Sequence, residues 1–104
     1  MDNLPIINRS YDVYKLVIDL TGSLDKRWRY SLGESLEQSI MACLSELIMA
    51  KNAPKPLKPT YLLRASSHLE ISMLKLANET KLFQAQGKLE EIGRMLGGWL
   101  KSLR

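Results

Sequence analysis

Apolar residues recur at three- and four-residue intervals through nearly all of this 104-residue chain, and the pattern breaks at only three places. That interval is the period of a helix with one buried face. A chain that keeps it throughout must cover those faces by stacking helix on helix. The first periodic segment runs from about Pro5 to Leu20. Pro5 suits a first helical turn, and Ile7, Tyr11, Tyr14 and Ile18 follow at spacings of four, three and four. Thr21-Gly22-Ser23 ends it, with Gly22 expected to take the left-handed geometry of a helix stop.

The second segment is predicted to start near Ser31. Ser31-Leu32-Gly33-Glu34 fits a capping box, with Ser31 accepting from the Glu34 amide while the Glu34 side chain reaches back. Leu32, Leu36, Ile40, Cys43 and Leu47 make one stripe, and Met41, Leu44 and Ile48 lie beside it. The resulting face is wider than an internal seam needs, which predicts a second buried contact such as another subunit. Pro54, Pro56 and Pro59 form the clearest break, because they remove amide donors and disfavour helix just before each ring. The third segment starts near Pro59 or Thr60, carries Leu62, Leu69, Met73 and Leu76, and ends around Asn78 to Lys81. The fourth runs from about Gln84 to Leu103, with Leu89, Ile92, Leu96, Trp99 and Leu103 on one face.

No run alternates apolar and polar residues between turn signals, so no strand is expected. The prediction is an all-α fold: one domain over 1–104, an antiparallel up-down four-helix bundle with helices at about 5–20, 32–51, 60–80 and 84–103. A chain of this size buries enough surface to hold a core without staples.

Several functions are disfavoured by what the chain lacks. No apolar run approaches the ~20 residues needed to span a bilayer. The start, MDNLPIINRS, has neither the basic nor the apolar region of a secretory signal, so a cytoplasmic location is expected. Cys43 and His68 are the only cysteine and histidine, which rules out an internal disulfide and a His/Cys zinc site built from this chain alone. Cys43 sits among Ile40, Met41, Leu44 and Leu47 and reads as an ordinary buried thiol. Arg64-Ala65-Ser66-Ser67-His68 superficially resembles the Arg…His motif of HEPN-class helical nucleases. Its spacing is too short, and it lacks the Asn or Asp that follows the Arg; a polar helix face explains it better. Glu90 and Glu91 point about 100° apart on a helix and cannot share a proton, so pairing of Glu91 with Lys88 or Arg94 is expected. The chain reads as a non-enzymatic binding protein with no cofactor or metal.

Charge is unevenly distributed. Residues 1–52 hold 6 Lys/Arg against 7 Asp/Glu, and residues 53–104 hold 9 against 4, giving −1 and +5. The basic half favours an acidic partner, either nucleic acid or an acidic protein face. In Lys26-Arg27-Trp28-Arg29-Tyr30, three cations interleave with two aromatics. Two readings fit: a surface that pairs phosphates and stacks bases, or a loop whose Trp28 or Tyr30 plugs the bundle end. In an up-down bundle, Lys51, Lys55 and Lys58 fall at the opposite end. Arg64, Lys75, Lys88, Arg94 and Lys101 could supply a lateral basic surface. Gly93, Gly97 and Gly98 interrupt the last helix, where each glycine costs about 1 kcal/mol relative to alanine. Gly93 and Gly97 share a face beside Trp99. That pattern fits close helix packing within or between subunits, or a kinked, frayed helix end.

The ending Glu91-Ile92-Gly93-Arg94-Met95-Leu96-Gly97-Gly98-Trp99-Leu100-Lys101 resembles the C-terminal signature of the accessory variability determinant (Avd) proteins of diversity-generating retroelements. These group with the four-helix proteins encoded in bacterial 23S rRNA intervening sequences. Leu4-Pro5-Ile6-Ile7 leading to Tyr11-Asp12 and Tyr14-Lys15, then Arg29-Tyr30-Ser31-Leu32-Gly33 and Leu74-Lys75-Leu76-Ala77, are also similar, so the likeness touches all four helices. It implies a ring-like homopentamer with a basic surface that partners a reverse transcriptase and its template RNA in error-prone cDNA synthesis. It supplies no catalytic motif, and its basic character maps only onto Lys75 and Arg94. Together with the charge pattern, the candidate partner-binding residues are Lys26, Arg27, Arg29, Lys55, Lys58, Arg64, Lys75 and Arg94. Those for oligomer or helix packing are Met41, Leu44, Ile48, Gly93, Gly97 and Trp99. The alternative is a structural bundle of the intervening-sequence type with no nucleic-acid role.

Overall fold

The computed structural model describes residues 4–77 and 82–103. The described residues are helical with short connections and contain no strand. Helix α1 spans Leu4–Thr21; α2, Lys26–Trp28, runs through a π-helical turn at Arg29–Gly33 into α3, Glu34–Asn52. A 3-10 turn at Lys55–Leu57 leads into α4, Lys58–Leu76, and α5 covers Phe83–Ser102. The four long helices are α1, α3, α4 and α5. α1 and α4 each lie mainly against α3 and α5. The molecule measures 44 × 19 × 19 Å. Its length follows from the unbroken winding between Lys26 and Asn52, which spans about 40 Å at 1.5 Å per residue.

The core is aliphatic. Val17, Leu36, Leu47, Leu62, Leu76, Leu82, Leu89 and Ile92 are all fully buried, each stabilising the fold by about 1.5–3 kcal/mol relative to exposure. The stripes expected on α3, α4 and α5 lie inward, with Leu32 and Met73 half-buried at their margins. On α1 the inward face differs from the expected one. Ile6, Ser10, Val13 and Val17 are buried, Ile7 and Tyr14 are half-buried, and Tyr11 and Ile18 are exposed. Both stripes have helical period. The smaller side chains won the interior because a narrow four-helix core has no room for two tyrosines, whose hydroxyls would also need partners there.

The helix ends correct two further expectations. Among the described residues none has positive φ, so Gly22 does not stop α1 with a left-handed turn. The helix tightens instead: Ser23 N donates to Leu20 O and Leu24 N to Thr21 O, both 3.1 Å, and buried Leu24 closes that end of the core. The capping box does not form, because winding already begins at Lys26 and leaves no free amide at Glu34. Ser31 Oγ donates back to Arg27 O at 2.9 Å. At the other end, α4 reaches Leu76 with Ala77 in a turn; the rest of its expected end, 78–81, lies outside the described residues.

α3 and α4 run in opposite directions, joined at three heights. Lys75 Nζ donates to Ser35 O at 3.0 Å, the Ser39 and Ser72 hydroxyls meet at 2.7 Å, and Lys58 Nζ donates to Ala50 O and Lys51 O at 2.8 and 3.0 Å. Small buried residues on the facing sides, Ser39, Ala50, Ala65 and Ser72, let the two backbones approach closely.

Candidate functional site

The eight candidate cations fall into three groups. Arg29, Lys58 and Lys75 are engaged within the chain. Arg29 Nη2 lies 3.4 Å from both Gly22 O and Leu24 O, where it covers carbonyls left open past the end of α1. Lys58 does the same for α3, and Lys75 ties α4 to Ser35. Arg27 and Arg64 lie over aromatic rings of their own helices, 5.9 Å from Trp28 and 5.5 Å from Tyr61. Lys26, Lys55 and Arg94 are exposed. They do not form one patch: Lys26 and Arg27 sit at the end of α1, Lys55 in the α3–α4 connection, and Arg94 on α5.

Trp28 and Tyr30 are 49% and 59% exposed, so neither plugs the bundle end; Leu24 does that. They belong to a run, Asp25 to Ser31, in which every residue is exposed, and the π turn at Arg29–Gly33 joins it to α3. Lys26, Arg27, Trp28 and Tyr30 therefore share an exposed end of the molecule, with Arg27 over the Trp28 ring and Tyr30 at the edge of the groove between α1 and α3.

Of the residues expected to pack, Leu44 and Trp99 are buried in the core, while Met41 and Ile48 are exposed. Gly93 lies on the α4 side, where an added Cβ would rest 3.4 Å from Leu69 Cδ2. Gly97 and Gly98 have nothing within 4 Å of such an atom. The two glycines therefore do not form one packed notch within the chain. Glu91 pairs with Arg9 of α1 rather than with Lys88 or Arg94.

Two apolar surfaces stand out, and sequence periodicity had flagged only part of one. Between α1 and α3 runs a groove in two adjoining hollows of about 540 and 250 Å³ that share Glu34 and Glu37. Tyr14 and Met41 line the first, Ile18 and Tyr30 the second. Thr21 Oγ1 lies 2.9 Å from Glu37 Oε2 and 3.0 Å from Ile18 O. Among the described residues no cation pairs with Glu34 or Glu37. On the outer side of α4, Leu63 and Leu74 are 61% and 76% exposed, Leu57 and Ile71 are exposed as well, and Arg64 stands beside them. The signal for both surfaces is a second seven-residue spacing behind the core stripe: Tyr11 and Ile18; Glu34, Met41 and Ile48; Leu57, Arg64 and Ile71.

The chemistry available elsewhere is limited. Cys43 is buried and its thiol is pushed up to about 12, first by desolvation and then by the charge of Glu46, so it is a poor nucleophile. His68 is half-buried, and its carbonyl accepts from Ser72 Oγ at 2.9 Å. No group of three His, Cys, Asp or Glu that could hold a metal ion occurs among the described residues. No helix among them is long and apolar enough to cross a membrane. No protein-family model, curated protein or solved structure matches the chain.

Proposed function

We propose that this chain is a non-enzymatic accessory protein that binds a retroelement reverse transcriptase and its template RNA to support mutagenic cDNA synthesis. The observation that carries the reading is the exposed end segment, where Lys26 and Arg27 stand beside the exposed Trp28 and Tyr30 and Arg27 lies over the Trp28 ring. The Avd-like motifs supply the identity of the partners. In this reading the helices form an up-and-down antiparallel bundle, supported by the opposed α3 and α4 and by contacts of Thr21 with Glu37 and Arg9 with Glu91. The protein acts in the cytoplasm as a homo-oligomer, a pentamer by resemblance, and the exposed Met41 and Ile48 support association.

The test is co-purification with the reverse transcriptase encoded beside it, with and without RNA. A complex that forms and weakens with salt, at a log–log slope of about −0.7 to −0.9 per phosphate contacted, supports the reading. A chain that retains neither polymerase nor RNA returns the assignment to a structural bundle of the intervening-sequence type. One observation favours that second reading: Arg29, Lys58 and Lys75 already serve backbone carbonyls of their own chain.

A further inference from the structure

We infer that Phe83 joins Trp28 and Tyr30 in a stacking surface at one end of the molecule, and that this end takes unpaired RNA rather than duplex. RNA as the ligand rests on the accessory reading; the third aromatic residue, from another helix, and the strandedness go beyond it. Phe83 is more than fifty residues from the other two in sequence, and only the fold brings them to one end.

Contacts between distant residues fix that placement. Thr21 Oγ1 lies 2.9 Å from Glu37 Oε2, which sets the end of α1 beside the start of α3, and α2 with its π turn joins them. Lys75 Nζ donates to Ser35 O at 3.0 Å, so α4 ends beside the same turn. α5 opens at Phe83 after a short connection, and its Glu91, about two turns further on, pairs with Arg9 of α1. Leu82, Ala85 and Leu89 supply the buried stripe of this helix, which turns Phe83 outward. Its ring therefore adds little to the core. Leu74 and Phe83, 76% and 75% exposed, are the two most exposed large apolar side chains described, and both stand at this end. Gathered there with Trp28 and Tyr30, this apolar area marks a contact surface.

The chemistry of this end selects among nucleic acids. Aromatic faces bind bases that are unstacked, and a duplex keeps its base faces inside, so exposed rings favour a single strand. Within 25–31, Lys26, Arg27 and Arg29 outnumber Asp25. Arg27 lies over the Trp28 ring at 5.9 Å, which keeps a cation close to a base stacked there and to its phosphate. The molecule is 19 Å across, a span that a few nucleotides of extended strand cover. The opposite end differs. It carries Lys51, Lys55 and Lys58, but its exposed large apolar side chains are Met49 and Leu57, with no exposed ring among the described residues there. That end can pair with phosphates and offers no ring to a base.

Equilibrium binding of the full chain to an unstructured RNA oligonucleotide, and to the same strand annealed to its complement, tests this. Trp99 is buried, so quenching of tryptophan fluorescence on binding reports on Trp28. The expected result is quenching by the single strand, and tighter binding of it than of the duplex at equal salt. Phe83→Ala and Phe83→Leu should each weaken single-strand affinity about tenfold and leave the salt slope unchanged, while Phe83→Tyr keeps wild-type affinity. The position is exposed, so thermal melts of all three variants should match wild type. Duplex held as tightly as the single strand, or Phe83→Ala binding like wild type, overturns the inference. So does Phe83→Leu binding like wild type, the result expected if this end meets an apolar protein surface instead of bases. Single-strand binding that depends on Phe83, in a chain that retains no polymerase, would sink the accessory reading and leave this surface standing. Polymerase and RNA retained equally by Phe83→Ala would do the opposite.

Discussion

The hydroxyls of Ser39 and Ser72 meet at 2.7 Å in the buried interface of α3 and α4, and each also reaches a carbonyl of its own helix, Leu36 O at 3.0 Å and His68 O at 2.9 Å. Two protons serve three contacts, so at any moment one hydroxyl donates to its helix and the other donates across. The pair holds the hairpin in register without leaving an unsatisfied atom. Ser39→Ala or Ser72→Ala removes only the cross-helix bond, since the remaining serine still donates to its own carbonyl. Each single change should cost about 1 kcal/mol, and the double variant about twice that, because the second substitution removes the bond the remaining serine donates to its own carbonyl. Urea denaturation of the four proteins measures this. A double variant no less stable than either single one would show that only the cross-helix bond contributes.

Gly33 and Gly97 should respond to alanine with opposite signs. A Cβ at Gly33 would stand 3.2 Å from Thr21 Cβ, and Thr21 is held by its contacts with Ile18 O and Glu37 Oε2. Gly33→Ala is therefore expected to destabilise by about 1–3 kcal/mol through overpacking. Gly97 has open space around it, so Gly97→Ala should gain up to about 1 kcal/mol from helix propensity. Thermal melts compare the two.

Basic residues should separate by role. Lys75→Met loses the bond to Ser35 O, and is expected to lower stability by roughly 1 kcal/mol while leaving RNA affinity nearly unchanged. Lys26→Gln with Arg27→Gln should do the reverse, leaving the melt in place and reducing the salt slope of RNA binding by about 0.7–0.9 for each phosphate no longer paired. Equal weakening of RNA affinity in both variants would contradict the division drawn between engaged and free cations.

Cys43 links stability to alkaline pH. Its thiol rises from 9.0 to about 12 on folding because burial penalises the thiolate. The folded state therefore binds a proton that the unfolded state releases above about 9. The resulting stabilisation is fully present below pH 9 and is lost as pH rises toward 12. Denaturation midpoints should fall faster above pH 9 in wild type than in Cys43→Ala. At pH 8 a thiol reagent should label the native protein only as fast as the bundle opens, and at once in denaturant.

Much of the fold was legible in the chain because helical period is a local property. The three breaks, the inward stripes on α3, α4 and α5, and the burial of Cys43 and Trp99 all follow from spacing. Other features depend on neighbours far away in sequence. Ile7, Tyr11, Tyr14 and Ile18 have as good a period as Ile6, Ser10, Val13 and Val17, and spacing alone cannot choose between adjacent faces of one helix. The π turn erased a plausible capping box, since winding had begun five residues before Ser31. Of the candidate cations, Arg29, Lys58 and Lys75 look no different in sequence from Lys26 and Arg94. Only the positions of Gly22, Leu24, Ala50 and Ser35 show which charges are already engaged.

By itself the sequence determined that this chain makes amphipathic helices, where they break, and how its charge divides between its halves. Those are consequences of residue type and spacing along one strand of backbone. Tertiary structure decided which of two rival stripes on α1 became core, where Glu91 found its cation, and which apolar side chains were left outside. Those outcomes depend on side chains brought together from distant parts of the chain. A narrow core admits only what fits between four backbones, and the remainder faces outward.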